Sequence, residues 1–117
     1  KALGADFVHI SSGGVSPRQQ IPVGPGYQLH LAQAVRHAGL LPTLAVGLIT
    51  QARQAEAVLQ QGQADLVALA RAFLYDPRWG WHAAAELGAS VQAQPPYWRC
   101  TPREAGALFD GAHIGMR

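Results

Sequence analysis

Three short apolar runs alternate with stretches of helical periodicity, and this alternation constrains the fold more than any other feature of the chain. The runs are Asp6-Phe7-Val8-His9-Ile10-Ser11, Thr43-Leu44-Ala45-Val46 and Leu66-Val67-Ala68-Leu69. Each has the length and β-branched or small apolar character of a strand buried on both faces. Between them lie helices over Gln28–Ala38 and Gln51–Gln61, with a third opening at Asp76-Pro77 and ending near Leu87-Gly88. Leu31, Ala34, Val35 and Ala38 mark the inward face of the first helix, and Gly39 closes it. Ala52, Ala55, Val58 and Leu59 mark that of the second, with Thr50 as its N-cap and Gly62 as its stop. The connections are long enough for right-handed crossovers, so the order β-α-β-α-β-α implies an α/β fold with a parallel sheet.

The flanks are less regular. Residues 1–5 read as the end of a helix closed by Gly4, and Val15 to Gly26 as a loop punctuated by prolines and glycines. Beyond Gly88 the chain turns polar, with Pro95-Pro96 and Pro102 breaking it and a short helix near Arg103–Phe109. Gly4-Ala5-Asp6-Phe7-Val8 resembles Gly62-Gln63-Ala64-Asp65-Leu66-Val67, a faint internal repeat of a glycine stop, an acidic residue and a strand.

Bulk properties exclude several classes. A hydrophobic fraction of 49% with only 14% charged residues indicates a buried core and argues against disorder. No apolar run approaches the roughly 20 residues that span a bilayer. A net charge of +2 with scattered arginines gives no basic patch for nucleic acid. Cys100 is the single cysteine, so no intrachain disulfide forms; the expected location is the cytoplasm, with Cys100 an incidental thiol. The chain shows no signal peptide, and its first residue, Lys1, is not methionine, so a cut start is expected.

The chemistry is concentrated where the strands end. In Ala45-Val46-Gly47-Leu48-Ile49-Thr50, Gly47 allows close backbone approach, and the amides of Gly47 and Leu48 precede a helix start that favours an anion. In Ala68-Leu69-Ala70-Arg71, the small Ala70 exposes its amide, and Arg71 can grip a phosphate through two parallel hydrogen bonds. A plain strand-to-helix turn and a surface arginine are the alternatives. Ser12, in Ser11-Ser12-Gly13-Gly14, ends the first strand on the same side and offers a donor to a phosphate or ribityl oxygen; a mere turn is the alternative.

Loops after the last two strands of a (β/α)8 barrel form its phosphate site, which matches two such turns in consecutive units. Three strands cannot close a barrel of eight, so the sequence implies the last part of a larger protein. His9, His30, His37, His82 and His113 lack metal-ligand spacing, and His9 reads as a hydrogen-bonded core residue. Pro95-Pro96-Tyr97-Trp98-Arg99 suits docking against another subunit, or folding back on its own surface.

Taken together, Asp6–Gly14, Ala45–Thr50, Ala64–Arg71, Pro25-Gly26-Tyr27-Gln28 and Asp76-Pro77-Arg78-Trp79 resemble the C-terminal part of the Old Yellow Enzyme family, nearest its thermophilic-like, NADPH dehydrogenase subgroup. The resemblance implies strands six to eight of a (β/α)8 barrel over residues 1–99, with 100–117 as a tail of no assigned role. It implies FMN held without a covalent bond, NADPH as hydride donor, and reduction of the activated C=C bond of an α,β-unsaturated carbonyl compound. Ser12, Gly47, Leu48, Ala70 and Arg71 would hold the FMN phosphate, with Ala70 departing from the glycine common there. Arg99 matches an arginine sent into the neighbouring subunit's active site, which implies a homo-oligomer in the full-length parent. The residues that hold the substrate carbonyl, the tyrosine proton donor and the segments contacting the isoalloxazine ring have no counterpart in the chain. The competing expectations are a non-catalytic half-barrel that binds phosphate-bearing ligands, and a structural fragment inactive on its own.

Overall fold

The computed structural model describes residues 1–39 and 41–112. Its centre is a three-stranded parallel sheet in the order β1 (Val8–Ile10), β2 (Thr43–Val46), β3 (Leu66–Ala68). His9, Leu44 and Leu66 lie side by side across the sheet, as do Ile10, Ala45 and Val67. Helices α1 (Leu29–Ala38) and α2 (Ala52–Gln60) are the two crossovers. A five-residue helix α3 (Arg71–Tyr75) follows β3 and leads into α4 (Trp79–Leu87), and 3₁₀ turns cover Pro95–Cys100 and Arg103–Ala105.

Alternation along the strands divides the sheet into two unlike faces. Ile10, Ala45 and Val67 face the helices and join Ala32, Ile49, Ala55, Val58 and Ala64 in the main core. His9, Leu44 and Leu66 occupy the intervening positions on the other face, which no helix covers. Leu66 is accordingly 48% exposed, and His9 is exposed. The expected core histidine is therefore corrected: His9 lies on an edge strand, on the uncovered face. The chain is extended, with a radius of gyration of 17.6 Å against about 13 Å for a compact domain of this length.

Small residues bring the helices close to the sheet. In α1 the packed side is Leu29, Leu31 and Ala32, the last fully buried, with Arg36 one turn on. Leu31 packs as expected, but the rest of the expected inward face needs correction: Ala34, Val35 and Ala38 are exposed. Ala32, with no side chain beyond Cβ, permits the closest approach to the sheet, and this turns the Ala34 and Ala38 side outward. In α2, Ala52, Ala55 and Val58 are buried as expected, while Leu59 turns outward. Thr50 does not cap α2; Gln51 precedes it in extended conformation, without a side-chain cap bond. At α4, Asp76 Oδ1 accepts from the Arg78 amide at 2.9 Å, and the helix proper begins at Trp79. Residues 1–4 form a turn with Gly4 at φ +87°, and Gly62 likewise sits at φ +65°, so the two halves of the faint repeat share a left-handed glycine.

An ionic cluster ties the amino ends of the strands together. Asp65 accepts from the Thr43 amide at 2.9 Å, from Thr43 Oγ1 at 3.2 Å and from Arg36 Nε at 3.0 Å, while Arg36 also donates to the Gly62 carbonyl at 2.8 Å. The Thr43 amide first, and the Arg36 guanidinium second, hold the Asp65 carboxyl below its ordinary value. A carboxyl depressed in the folded state stabilises above its unfolded pKa and loses that contribution as pH falls through the folded one. Thermal melting between about pH 5 and pH 3 should therefore fall more steeply in the native chain than in Asp65→Asn, whose residue 65 cannot titrate. Parallel slopes would remove Asp65 from this role.

Candidate functional site

The turns after β2 and β3 meet at the carboxyl end of the sheet and enclose a cleft of about 230 Å³. Gly47, Leu48, Ala70 and Arg71 all line it, together with Tyr27 and Gln28 from the start of α1. Four of the residues singled out from the sequence are thus brought together.

The β2 turn takes this shape because its backbone leaves the strand in unusual conformations. Gly47 sits at φ +132°, and a Cβ there would lie 3.1 Å from both Gln28 Nε2 and Tyr27 Cε1. Both the torsion and the neighbours therefore demand glycine. Leu48 follows at φ +47°, a left-handed conformation that a branched side chain adopts at a cost of about 1–3 kcal/mol. Gln54 braces the turn from the first turn of α2. Its Nε2 donates to the Leu48 carbonyl at 3.0 Å, and its Oε1 accepts from the Thr50 amide at 3.0 Å.

Arg71 supplies the charge. It is exposed, opens α3 and forms no ion pair among the described residues. Among the described residues no acidic side chain lines the cleft, so the Arg71 guanidinium sets a positive field there. As the first residues of a helix, Arg71, Ala72 and Phe73 have amides with no intrahelical acceptor. Helix α3 is too short for a strong dipole, so the guanidinium and the free amides carry the attraction. A cationic fork, open amides and no carboxylate form a donor set that fits a phosphate dianion.

Ser12 stands differently. It does not line the cleft; its hydroxyl donates to Gln28 Oε1 at 2.9 Å, and its amide donates to the same oxygen. Its donor hydrogen is therefore committed within the protein. Gln28, Gln54 and Tyr27 received no role from sequence, because a polar residue at a helix start looks alike whether it meets solvent or a neighbouring turn.

Comparison with known proteins bears on this cleft. Residues 4–89 match the family model of NADH:flavin oxidoreductase / NADH oxidase proteins. The chain belongs to that family. Its members include relatives named NADPH dehydrogenase. Those of Geobacillus thermodenitrificans and Halalkalibacterium halodurans are each 48% identical over 99 residues, and that of Listeria monocytogenes is 38% identical over 102. In each case the match covers 85% of this chain and 29% of the relative, so the chain spans less than a third of their length. This is the Old Yellow Enzyme type of flavoprotein expected from the sequence, and the parallel α/β sheet is consistent with a piece of its barrel.

Beyond residue 89 the chain leaves the family match and folds back on α4. Trp81 packs edge-on against Tyr97 at 5.4 Å and Phe109 at 4.9 Å, and the Arg78 guanidinium lies over both the Trp81 and Tyr97 rings. Trp98 Nε1 donates to the Ala93 carbonyl at 2.9 Å. Of the two expectations for Pro95–Arg99, the fold-back describes Tyr97 and Trp98. Arg99 projects from the same 3₁₀ turn, exposed and apart from the cleft. The helix expected over Arg103–Phe109 is only a turn at Arg103–Ala105, because Leu108 and Phe109 pair with Val91 instead. Among the described residues no three His, Cys, Asp or Glu side chains group as metal ligands, and no helix is long and apolar enough to cross a membrane. His82 bonds Asp76 Oδ2 through Nδ1 at 2.6 Å, and His113 lies outside the described residues.

Proposed function

We propose that this chain forms the phosphate end of the FMN site in an NADPH-dependent flavin oxidoreductase, with β1, β2 and β3 as the sixth, seventh and eighth strands of a (β/α)8 barrel. The single observation that carries this reading is Arg71, without an ion-pair partner among the described residues, in a cleft where the turns after two consecutive strands converge and where no described carboxylate lies. Arg71 would neutralise the phosphate through its two-pronged guanidinium, and the amides near Gly47, Leu48 and Ala70 would complete the cradle. When bound, FMN supplies hydride transfer from NADPH to the activated C=C bond of an α,β-unsaturated carbonyl compound. The chain's own part is binding and orientation, through Arg71 and the turn amides that line the cleft. In the oligomeric parent, the exposed Arg99 would serve a neighbouring subunit.

Titration of the chain with FMN and with riboflavin, followed by amide NMR shifts, tests the reading. FMN should shift Gly47, Leu48, Ala70 and Arg71, whereas riboflavin, which differs only in lacking the phosphate, should leave them in place. Equal responses to the two flavins, or none to either, would overturn it.

A further inference from the structure

We infer that Gln28 is the positioning residue of this cleft: its one side-chain amide ties the turn after β1 to the end of β2 and so holds the Gly47 turn open beside Arg71. The inference rests on the phosphate-site reading for its purpose, but not for its geometry. Gln28 is 4% exposed, a polar side chain buried at the start of α1. Both ends of its amide are used. Nε2 donates to the Val46 carbonyl at 3.1 Å, and Oε1 accepts from the Ser12 amide and from Ser12 Oγ. These partners lie 16 and 18 residues away in sequence, on two different turns. Gln28 Nε2 also stands 3.1 Å from where a Gly47 Cβ would lie, so it forms part of the wall that restricts that position to glycine. Two residues earlier in the same segment, the Gly26 amide donates to the Gly47 carbonyl at 2.9 Å.

Apart from a protonated carboxyl, only the amides of glutamine and asparagine present a donor and an acceptor side by side on one uncharged group, and the longer of the two stands here. Methionine has similar length and neither function, so Gln28→Met would leave the Val46 carbonyl and the Ser12 amide without their partner. Glutamate keeps the acceptor but, when ionised, turns a second oxygen toward the Val46 carbonyl. Once protonated it can donate again. Among the described residues, Arg71 is the one charged side chain that lines the cleft, and Tyr27 the other titratable one.

The test uses amide hydrogen exchange at Gly26, which reports the Gly47 turn without touching Gln28, together with FMN titration. In Gln28→Met, which removes the bond to the Val46 carbonyl and both bonds from Ser12, Gly26 exchange should rise at least about tenfold, and FMN affinity should fall by a similar factor. Unchanged exchange and affinity would overturn the inference. Faster Gly26 exchange in a chain whose native form ignores FMN would sustain the positioning role while refuting the phosphate reading. If Gln28→Met fails to fold, Gln28→Glu decides. Its Gly26 exchange, corrected for intrinsic rates and measured against the native chain at each pH, should approach the native value as pH is lowered from about 7 to 5. A ratio that stays constant over that range would overturn the assignment.

Discussion

Arg71→Ala should weaken FMN binding by about 10- to 150-fold, because a hydrogen-bonded contact to a charged group contributes about 1.5–3 kcal/mol. The loss should leave folding untouched. Arg71 is exposed, pairs with no carboxylate among the described residues and supports no other side chain through a hydrogen bond there. A surface change of that kind alters stability by no more than about 0.5 kcal/mol. Arg71→Lys should recover part of the affinity, since it keeps the charge but not the planar fork. Fluorescence titration with FMN, beside a melting curve for each variant, separates binding from stability. Equal FMN affinity in the native chain and Arg71→Ala would remove Arg71 from the phosphate site.

Phe109→Ala should release the tail. Phe109 is 5% exposed, packs edge-on against Trp81 and shares a small second core with Leu108 and Ala84. Truncating a buried phenylalanine costs about 3–5 kcal/mol. Here that loss falls on a segment held by little else: a parallel bridge to Val91, with two backbone hydrogen bonds of 2.8 and 3.0 Å. The second core shares no buried residue with the one beneath the sheet. The expected result is local: trypsin cleaves after Arg103 much faster, and tryptophan emission shifts to the red as Trp81 loses its cover. The melting of the sheet and the shifts of the Gly47 turn should stay as they were. A cleavage rate equal to that of the native chain would show that the tail is held by other means.

The elements that were legible in the sequence are those whose periodicity is local. Thr43–Val46 is a strand in both readings, and Gly39 closes α1 in the left-handed conformation expected of it. Gly47, Leu48, Ala70 and Arg71 could be named together because each follows directly on a strand, and parallel strands deliver their carboxyl ends to one side. Helix α3 has no separate signature in the sequence because its five residues, Arg71–Tyr75, are too few to show a helical period. The packed face of α1 is only partly legible in the sequence: Leu31 packs on the core as expected, while Ala34, Val35 and Ala38 face outward. Only contact with β1 and β2 selects the side through Ala32.

Order along the chain, the strand–turn–helix grammar and the residue types at each turn are properties of neighbours in sequence. They determined the α/β class, the parallel sheet and four of the residues that line the cleft, Gly47, Leu48, Ala70 and Arg71. Tertiary structure decided the rest. It took the Ser12 hydroxyl for Gln28, gave Gln28 and Gln54 their places beside the turns, left His9 on an uncovered face and folded Tyr97 and Phe109 onto Trp81. Each of these outcomes depends on which groups meet after the chain has crossed over. A buried amide or an aromatic edge is satisfied by whatever partner lies nearest in space, and that partner has no fixed distance in sequence.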